Sequence, residues 1–397
     1  MKRPTLDEVA ARAGVGRGTV SRVVNGSTQV SPQAREAVQQ AIDELGYVPN
    51  RAARTLVTRR TDSVALVVSE SEERVFGEPF FAGIVRGISA ELARTPLQLW
   101  LAMAQSRSEL MRLEHHLTEQ HVDGVMLLSL HGAEPLPALL GERGLPTVLG
   151  GRTVTEVDPE WPVRFVDVDN PGGARAAVEY LIASGRRHIG HVAGPQDMAV
   201  WLGRLAGYRA ALAGTGKRPL IGYGDFSEIS GVAATRSLLE REPRMDALFV
   251  ASDLMALGAM RALRQAGRAI PDDVAVVGFD DAVFAGQVDP PLTTVHQPVE
   301  AMGRGMATTL CRLINGEPVQ DVVLDTHLVH RESARDLRDL GPPPRLQQQL
   351  TSKIAKTSLG TSATLGAPAM RGGPRRGRRP GGVCGCWPTA RRARCPG

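Results

Sequence analysis

Two different rhythms of apolar residues divide the chain. Over the first sixty residues they recur every three or four positions. Leu6, Val9, Ala10 and Ala13 share one helical face, opened by Thr5 with Glu8 three residues on, the pattern of a capping box. Gly14 stands where a left-handed residue closes a helix. A second helix is expected from about Arg17 to Asn25, burying Val20, Val23 and Val24. A third starts at Ser31-Pro32, because Ser caps and Pro suits the first helical position; it carries Ala34, Val38, Ala41, Ile42 and Leu45 and stops at Gly46. Two helices joined by a tight glycine turn and braced by a third make a helix-turn-helix module.

From Ser63 the rhythm changes to short continuous apolar runs alternating with helical stretches. Strands are expected at 64–68, 97–103, 124–128, 146–149, 165–168, 188–192, 247–250 and 274–278. Helices are expected at 80–92 and near 171–184, 200–213, 229–240 and 253–266. Continuous apolar strands with helices between them mean parallel sheets covered on both faces, and the two sets imply two α/β subdomains facing a cleft. The expected fold class is therefore an all-α reading head followed by an α/β core of two parallel-sheet subdomains. The expected boundaries are 1–49 for the head, 50–60 for a hinge or linker, 61–335 for the core and 336–397 for a tail.

Length agrees, since 397 residues exceed what one core holds. Charge is segregated: residues 1–60 carry net +5, 61–340 net −11, and 341–397 net +11 without a single acid. A basic head on an acidic body suits a polyanionic partner at the head alone. The tail, rich in Pro, Gly and Arg, has the composition of a disordered segment. No apolar run approaches the ~18 residues of a membrane span, and the start has no secretory apolar core, so a cytoplasmic protein is expected. Cys311 lies in an apolar helical pattern, where a buried thiol is expected; Cys384, Cys386 and Cys395 have poor zinc spacing.

Thr5-Leu6-Asp7-Glu8-Val9-Ala10, Ala13-Gly14-Val15, Thr19 to Asn25 and Leu45 to Ala53 together resemble the head of the lac repressor (LacI/GalR) family. In a helix-turn-helix the start of the second helix enters the major groove. Arg17, Gly18, Ser21 and Arg22 are the candidates there, either arginine being able to fork onto guanine, while Thr19 and Ser21 offer hydroxyls to phosphates. The resemblance adds Thr5, Leu6, Asn25, Ser31, Tyr47, Asn50, Arg51 and Ala53 to the DNA-contacting set, and implies a hinge helix at 50–56 whose Leu56 wedges into the minor groove. Gly16 departs from the family's usual Ser or Thr cap.

The resemblance extends to about residue 333 and implies a core like that of sugar-binding proteins, with three crossovers between lobes. Arg204, in a stretch resembling the family's R-x-x-G-[YFW] signature, would grip the effector; Asp253 and Asp280, at strand ends, would accept from its hydroxyls. Trp201, Phe80 and Arg152 complete the candidate effector site. A dimer on pseudo-palindromic operator DNA and a small-molecule effector, a sugar, are the implied partners. The function this implies is a ligand-responsive repressor of carbohydrate genes, released by its effector. A transport receptor with the same lobes is the rival, disfavoured by the reading head. No nucleophile–base pair, cofactor loop or metal spacing stands out, so no catalytic residue, cofactor or metal is expected.

Overall fold

The computed structural model describes residues 4–24, 27–48, 60–104 and 106–335. Asn25, Asn50, Arg51, Ala53, Leu56 and the expected tail lie outside the described residues.

Among the described residues the head is three helices: α1 (Leu6–Ala13), α2 (Arg17–Val24) and α3 (Pro32–Leu45). The capping box forms as the sequence implies, with Glu8 N–H donating to Thr5 Oγ1 at 3.3 Å and Thr5 N–H to Glu8 Oε2 at 2.7 Å. Gly14 and Gly46 both take the left-handed conformation, with φ of 67° and 61°. At the start of α2 the Gly16 carbonyl accepts from Thr19 and Val20, so the backbone makes the turn that a side-chain cap would otherwise secure. Val9, Val20 and Val38 are fully buried and, with Tyr47, close a small core.

Two six-stranded sheets follow, one per lobe. Lobe 1 holds β1 (Ser63–Val68), β2 (Gln98–Met103), β3 (Gly124–Leu128), β4 (Thr147–Gly150) and β5 (Val163–Val168). Between them run α4 (Glu72–Gly77), α5 (Pro79–Leu92), α6 (Arg107–His116) and α7 (Leu136–Glu142). Lobe 2 holds β6 (Ile189–Ala193), β7 (Leu220–Tyr223), β8 (Ala247–Val250), β9 (Ala275–Asp280) and β10 (Thr293–His296). Its helices are α8 (Asn170–Ala183), α9 (Ala199–Leu212), α10 (Glu228–Arg241) and α11 (Asp253–Gln265). After α12 (Val299–Ile314), β11 (Val322–Leu324) joins the first sheet and β12 (His327–Val329) the second. The strand orders are β2-β1-β3-β4-β5-β11 and β7-β6-β8-β9-β10-β12, the same path twice. All pairings are parallel except β10 with β12.

The chain crosses between lobes between β5 and α8, between β10 and α12, and between β11 and β12. Each sheet is buried on both faces, which is why β1, β3, β6 and β8 are wholly buried runs. Helix pairs close over glycine: a Cβ on Gly87 of α5 would fall on the Glu300 carbonyl of α12, and one on Gly207 of α9 on the Pro171 carbonyl of α8. Those positions tolerate nothing larger without parting the helices.

Helix α11 starts at Asp253 as expected, capped by Ser252, whose hydroxyl accepts from Met255 N–H. Three details differ from the sequence reading. Cys311 is half-buried on α12, not enclosed. His188 precedes β6 and pairs with Glu242 at 3.6 Å, whereas His191 is fully buried within it. Strands β7, β10, β11 and β12, each three or four residues long, lie outside the expected set.

Candidate functional site

In each sheet the strand order reverses at one point, β1/β3 in lobe 1 and β6/β8 in lobe 2. Ligands of such sheets sit beyond the strand C-termini at that reversal. The loops that meet there are 69–71 and 129–135 from lobe 1, and 194–198 and 251–252 from lobe 2. Unusual backbone gathers around them: Ser129, Phe226, Asp280 and Asp281 have φ of 59°, 79°, 120° and 57°, conformations that side chains with a Cβ adopt only when their surroundings enforce them.

Arg204 is the hub. Its side chain leaves α9 and is almost wholly buried, and every nitrogen of the guanidinium is engaged. Nε donates to Asn170 Oδ1 at 2.8 Å, Nη1 to the Ala251 carbonyl at 2.5 Å and to Asp280 Oδ1 at 3.2 Å, and Nη2 to Gln297 Oε1 at 2.8 Å. Its plane lies 3.6 Å from the Phe279 ring centre and 4.6 Å from that of Trp201. Asn170 follows the first crossover and Gln297 sits in the second, so one side chain binds two lobe connections to the ends of β8 and β9. Asn170 passes the contact on, donating through Nδ2 to Asp167 Oδ1 at 3.0 Å, and Asp167 faces Arg152 at 3.5 Å.

Asp280 ends β9 and keeps part of its carboxylate open, with 26% of its side chain exposed. Burial pushes its pKa up to about 6 against the pull of Arg204. Asp253 is fully enclosed, accepting from Thr294 Oγ1 at 2.6 Å and Ala282 N–H at 2.8 Å. Burial, reinforced by the Asp280 charge, drives its pKa well above the usual carboxylate range. Asp253 therefore braces the Asp280 loop from beneath, and both its oxygens are already used.

The other sequence candidates scatter. Trp201 is 5% exposed, its indole N–H pointing to Met198 Sδ and its ring edge-on to Phe226 at 4.4 Å, so it packs the wall behind Arg204. Phe80 is half-buried against Phe81 on α5. Arg152 is exposed, lies 4.9 Å from the Phe165 ring centre, and lines a cavity of about 500 Å³ to which Arg204, Trp201, Asp253 and Asp280 do not contribute. The sequence reading missed Asn170, Gln297 and Phe226, because an isolated amide or aromatic in a loop has no periodicity to mark it.

In the head, Arg17, Gly18 and Arg22 are exposed along α2, with Thr19 and Ser21 half-buried. Arg17 reaches only a loose 3.7 Å contact with Asp7. Thr5 and Ser31 are exposed caps, and Leu6 is half-buried at the start of α1. Tyr47 is 7% exposed, its ring packed in the head's core. An exposed arginine at the start of a second helix is what base recognition needs.

Comparison with known proteins agrees with this geometry. Residues 5–50 match the model for bacterial regulatory proteins of the lacI family, and residues 178–334 match that for a periplasmic binding protein-like domain. The HTH-type transcriptional regulator CelR of Thermobifida fusca is 57% identical over 84% of this chain and 98% of its own length. The transcriptional repressor PurR of Escherichia coli O139:H28 is 34% identical over 84% of this chain and 97% of its own. Among solved structures, a CelR–cellobiose complex superposes with a TM-score of 0.66 at 54% identity, covering 84% of this chain and all of that one. A lac repressor dimer bound to operator and an anti-inducer superposes with a TM-score of 0.72 at 30% identity, covering 84% and 99%. A receptor without a DNA role is set aside by the match to the head, and an enzyme by relatives that are regulators. The chain belongs to the lacI family of DNA-binding transcriptional regulators.

Proposed function

We propose that the chain represses carbohydrate genes in the cytoplasm and is released from its operator by a neutral sugar of the cellobiose kind bound between the lobes. The observation that carries this reading is Arg204. It joins the open carboxylate of Asp280 to two of the interlobe connections, so a ligand hydroxyl on Asp280 would disturb the contacts that set the lobes' relative position. The chemistry favours an uncharged ligand. The open carboxylate of Asp280, with Glu78 near enough to add to the negative field, suits hydroxyl donors and disfavours phosphate esters. The likeness to CelR supports the same choice. Arg204 and Asp280 are proposed to act at the ligand, Trp201 and Asp253 behind them, with Phe80 and Arg152 on lobe 1.

At the head, Arg17, Gly18 and Arg22 are proposed to meet base edges, and Thr5, Leu6, Thr19, Ser21, Asn25, Ser31 and Tyr47 to fit the head to the DNA backbone. Asn50, Arg51, Ala53 and Leu56 are proposed to serve as the hinge. A homodimer supplies two heads, and exposed apolar side chains are available for it to bury, among them Phe76, Trp100 and Met111 on lobe 1 and Tyr223, Ile229 and Val283 on lobe 2. Trp100 and Tyr223 lie on β2 and β7, the edge strands of the two sheets.

The test is an operator-release titration on DNA from upstream of the gene, with cellobiose, glucose and a sugar phosphate compared. Release by cellobiose at the lowest concentration is expected. Release by the sugar phosphate instead, or tighter operator binding with cellobiose, would overturn the proposed ligand or its direction.

A further inference from the structure

A second polar cluster joins the lobes at the strand reversal, away from Arg204. His131 leaves β3 on lobe 1. Its Nε2 lies 3.1 Å from Glu70 Oε1 of the same lobe, and its Nδ1 lies 2.9 Å from Asp197 Oδ2 of lobe 2. Next to it the Gly132 N–H donates across the cleft to the Asp197 carbonyl at 2.7 Å. Glu70 also holds Arg74 at 2.5 Å, and Arg74 lies 3.7 Å from the ring centre of Phe226 on lobe 2. Glu134 stands close by, 9% exposed, with its Oε1 unpartnered.

We propose that His131 is a positioning residue for effector binding, an imidazolium pin between Glu70 and Asp197 that ties closure of the lobes to uptake of a proton. This rests on the reading that the effector binds between the lobes. A neutral imidazole has one N–H and one lone pair, so it can donate to only one of two carboxylates. Holding both requires the cation. When the lobes part, Asp197 leaves and Glu70 remains, and one donor then suffices. Closure and protonation are thereby linked. The charged groups around the ring are Glu70 and Arg74 from the β1 end and α4, Glu134 ahead of α7, and Asp197 after β6. Three carboxyls against one guanidinium favour the cation, and hydrogen bonding with Glu70, opposed by burial and aided by Asp197, raises its pKa to about 9. A raised histidine stabilises the closed form below its open-state pKa, and that stabilisation fades as pH rises through about 9.

Hydrogen exchange at the Gly132 amide reads closure in the full chain without any ligand. Between pH 7 and 9.5, after correction for intrinsic rates, wild-type protection should fall roughly three- to tenfold, a modest figure because the ring is partly exposed. His131→Gln should be less protected at pH 7 and flat with pH. Asp197→Asn, on the other lobe and away from Arg204 and Asp280, should flatten the profile likewise. A flat wild-type profile, or a wild-type slope in His131→Gln, would overturn the pin. Calorimetry with cellobiose at pH 8 in two buffers of different ionisation enthalpy should show proton uptake in wild type and none in His131→Gln. If cellobiose gives no heat while Gly132 protection still follows pH through His131, the pin stands and the proposed ligand fails.

Discussion

Replacing Arg204 with Ala would do more than remove a proposed ligand contact. The guanidinium donates to Asn170, Ala251, Asp280 and Gln297 while stacked between Phe279 and Trp201. Its loss leaves Asp280 beside Asp253 without a cation and strands two buried amide oxygens. Breaking a buried pair by removing one partner costs about 3–5 kcal/mol. Asp280 opens onto the cleft and can take water or a proton, so the lower end, about 3 kcal/mol, is expected here. For a core of this size that lowers Tm by roughly 6–12 °C. The assay is a fluorescence melt at pH 7.5, paired with operator release at 25 °C, where the variant is still folded. Release should fail at effector concentrations that saturate the wild type, because the crossovers are no longer tied to β8 and β9. Arg204→Lys keeps the charge but cannot reach all four acceptors, and should fall between. A Tm within about 2 °C of wild type would mean that the hub is not holding the crossovers and that this reasoning is wrong.

Asp280→Asn should weaken effector binding roughly ten- to a hundredfold without loss of stability, since hydrogen bonds to a charged acceptor are worth about 1.5–3 kcal/mol. The raised pKa means that folding favours neutral Asp280, so wild-type stability should rise as pH falls through about 6; the variant's relative gain, at most about 1 kcal/mol above pH 6, should vanish toward pH 4, as denaturant melts across pH would show. Gly87→Ala should cost about 1–3 kcal/mol, because the new methyl meets the α12 backbone; a neutral denaturation midpoint would refute the close packing. Arg17→Ala should lose about 1–3 kcal/mol of operator preference per half-site with its melting temperature unchanged, and retained sequence preference in a gel-shift series would make it a bystander.

The head and the layered core were legible in the sequence for a physical reason. A capping box, a left-handed glycine and a 3.6-residue apolar period act over a few residues, so Thr5, Gly14 and Val20 declare their roles locally. Strands such as β1 and β3 are buried on both faces, and unbroken apolar runs announce that. Short edge strands such as β7 do not, because partners elsewhere in the chain complete them. The candidate site was legible only in part. Arg204 and Asp280 stood out as polar groups at strand ends or in a motif. The sequence alone could not say that Asp253 is spent on Thr294 and Ala282, or that Trp201 is turned into the wall. Nor could it join His131 to Asp197, 66 residues away, or Arg204 to Gln297, 93 residues away. Such pairs have no local pattern: they exist because two parallel sheets bring distant strand ends to one cleft, and burial there leaves each polar atom needing a partner. Local propensity determined the elements of this protein, and tertiary packing decided which of its polar residues stay open to the cleft and which hold the lobes together.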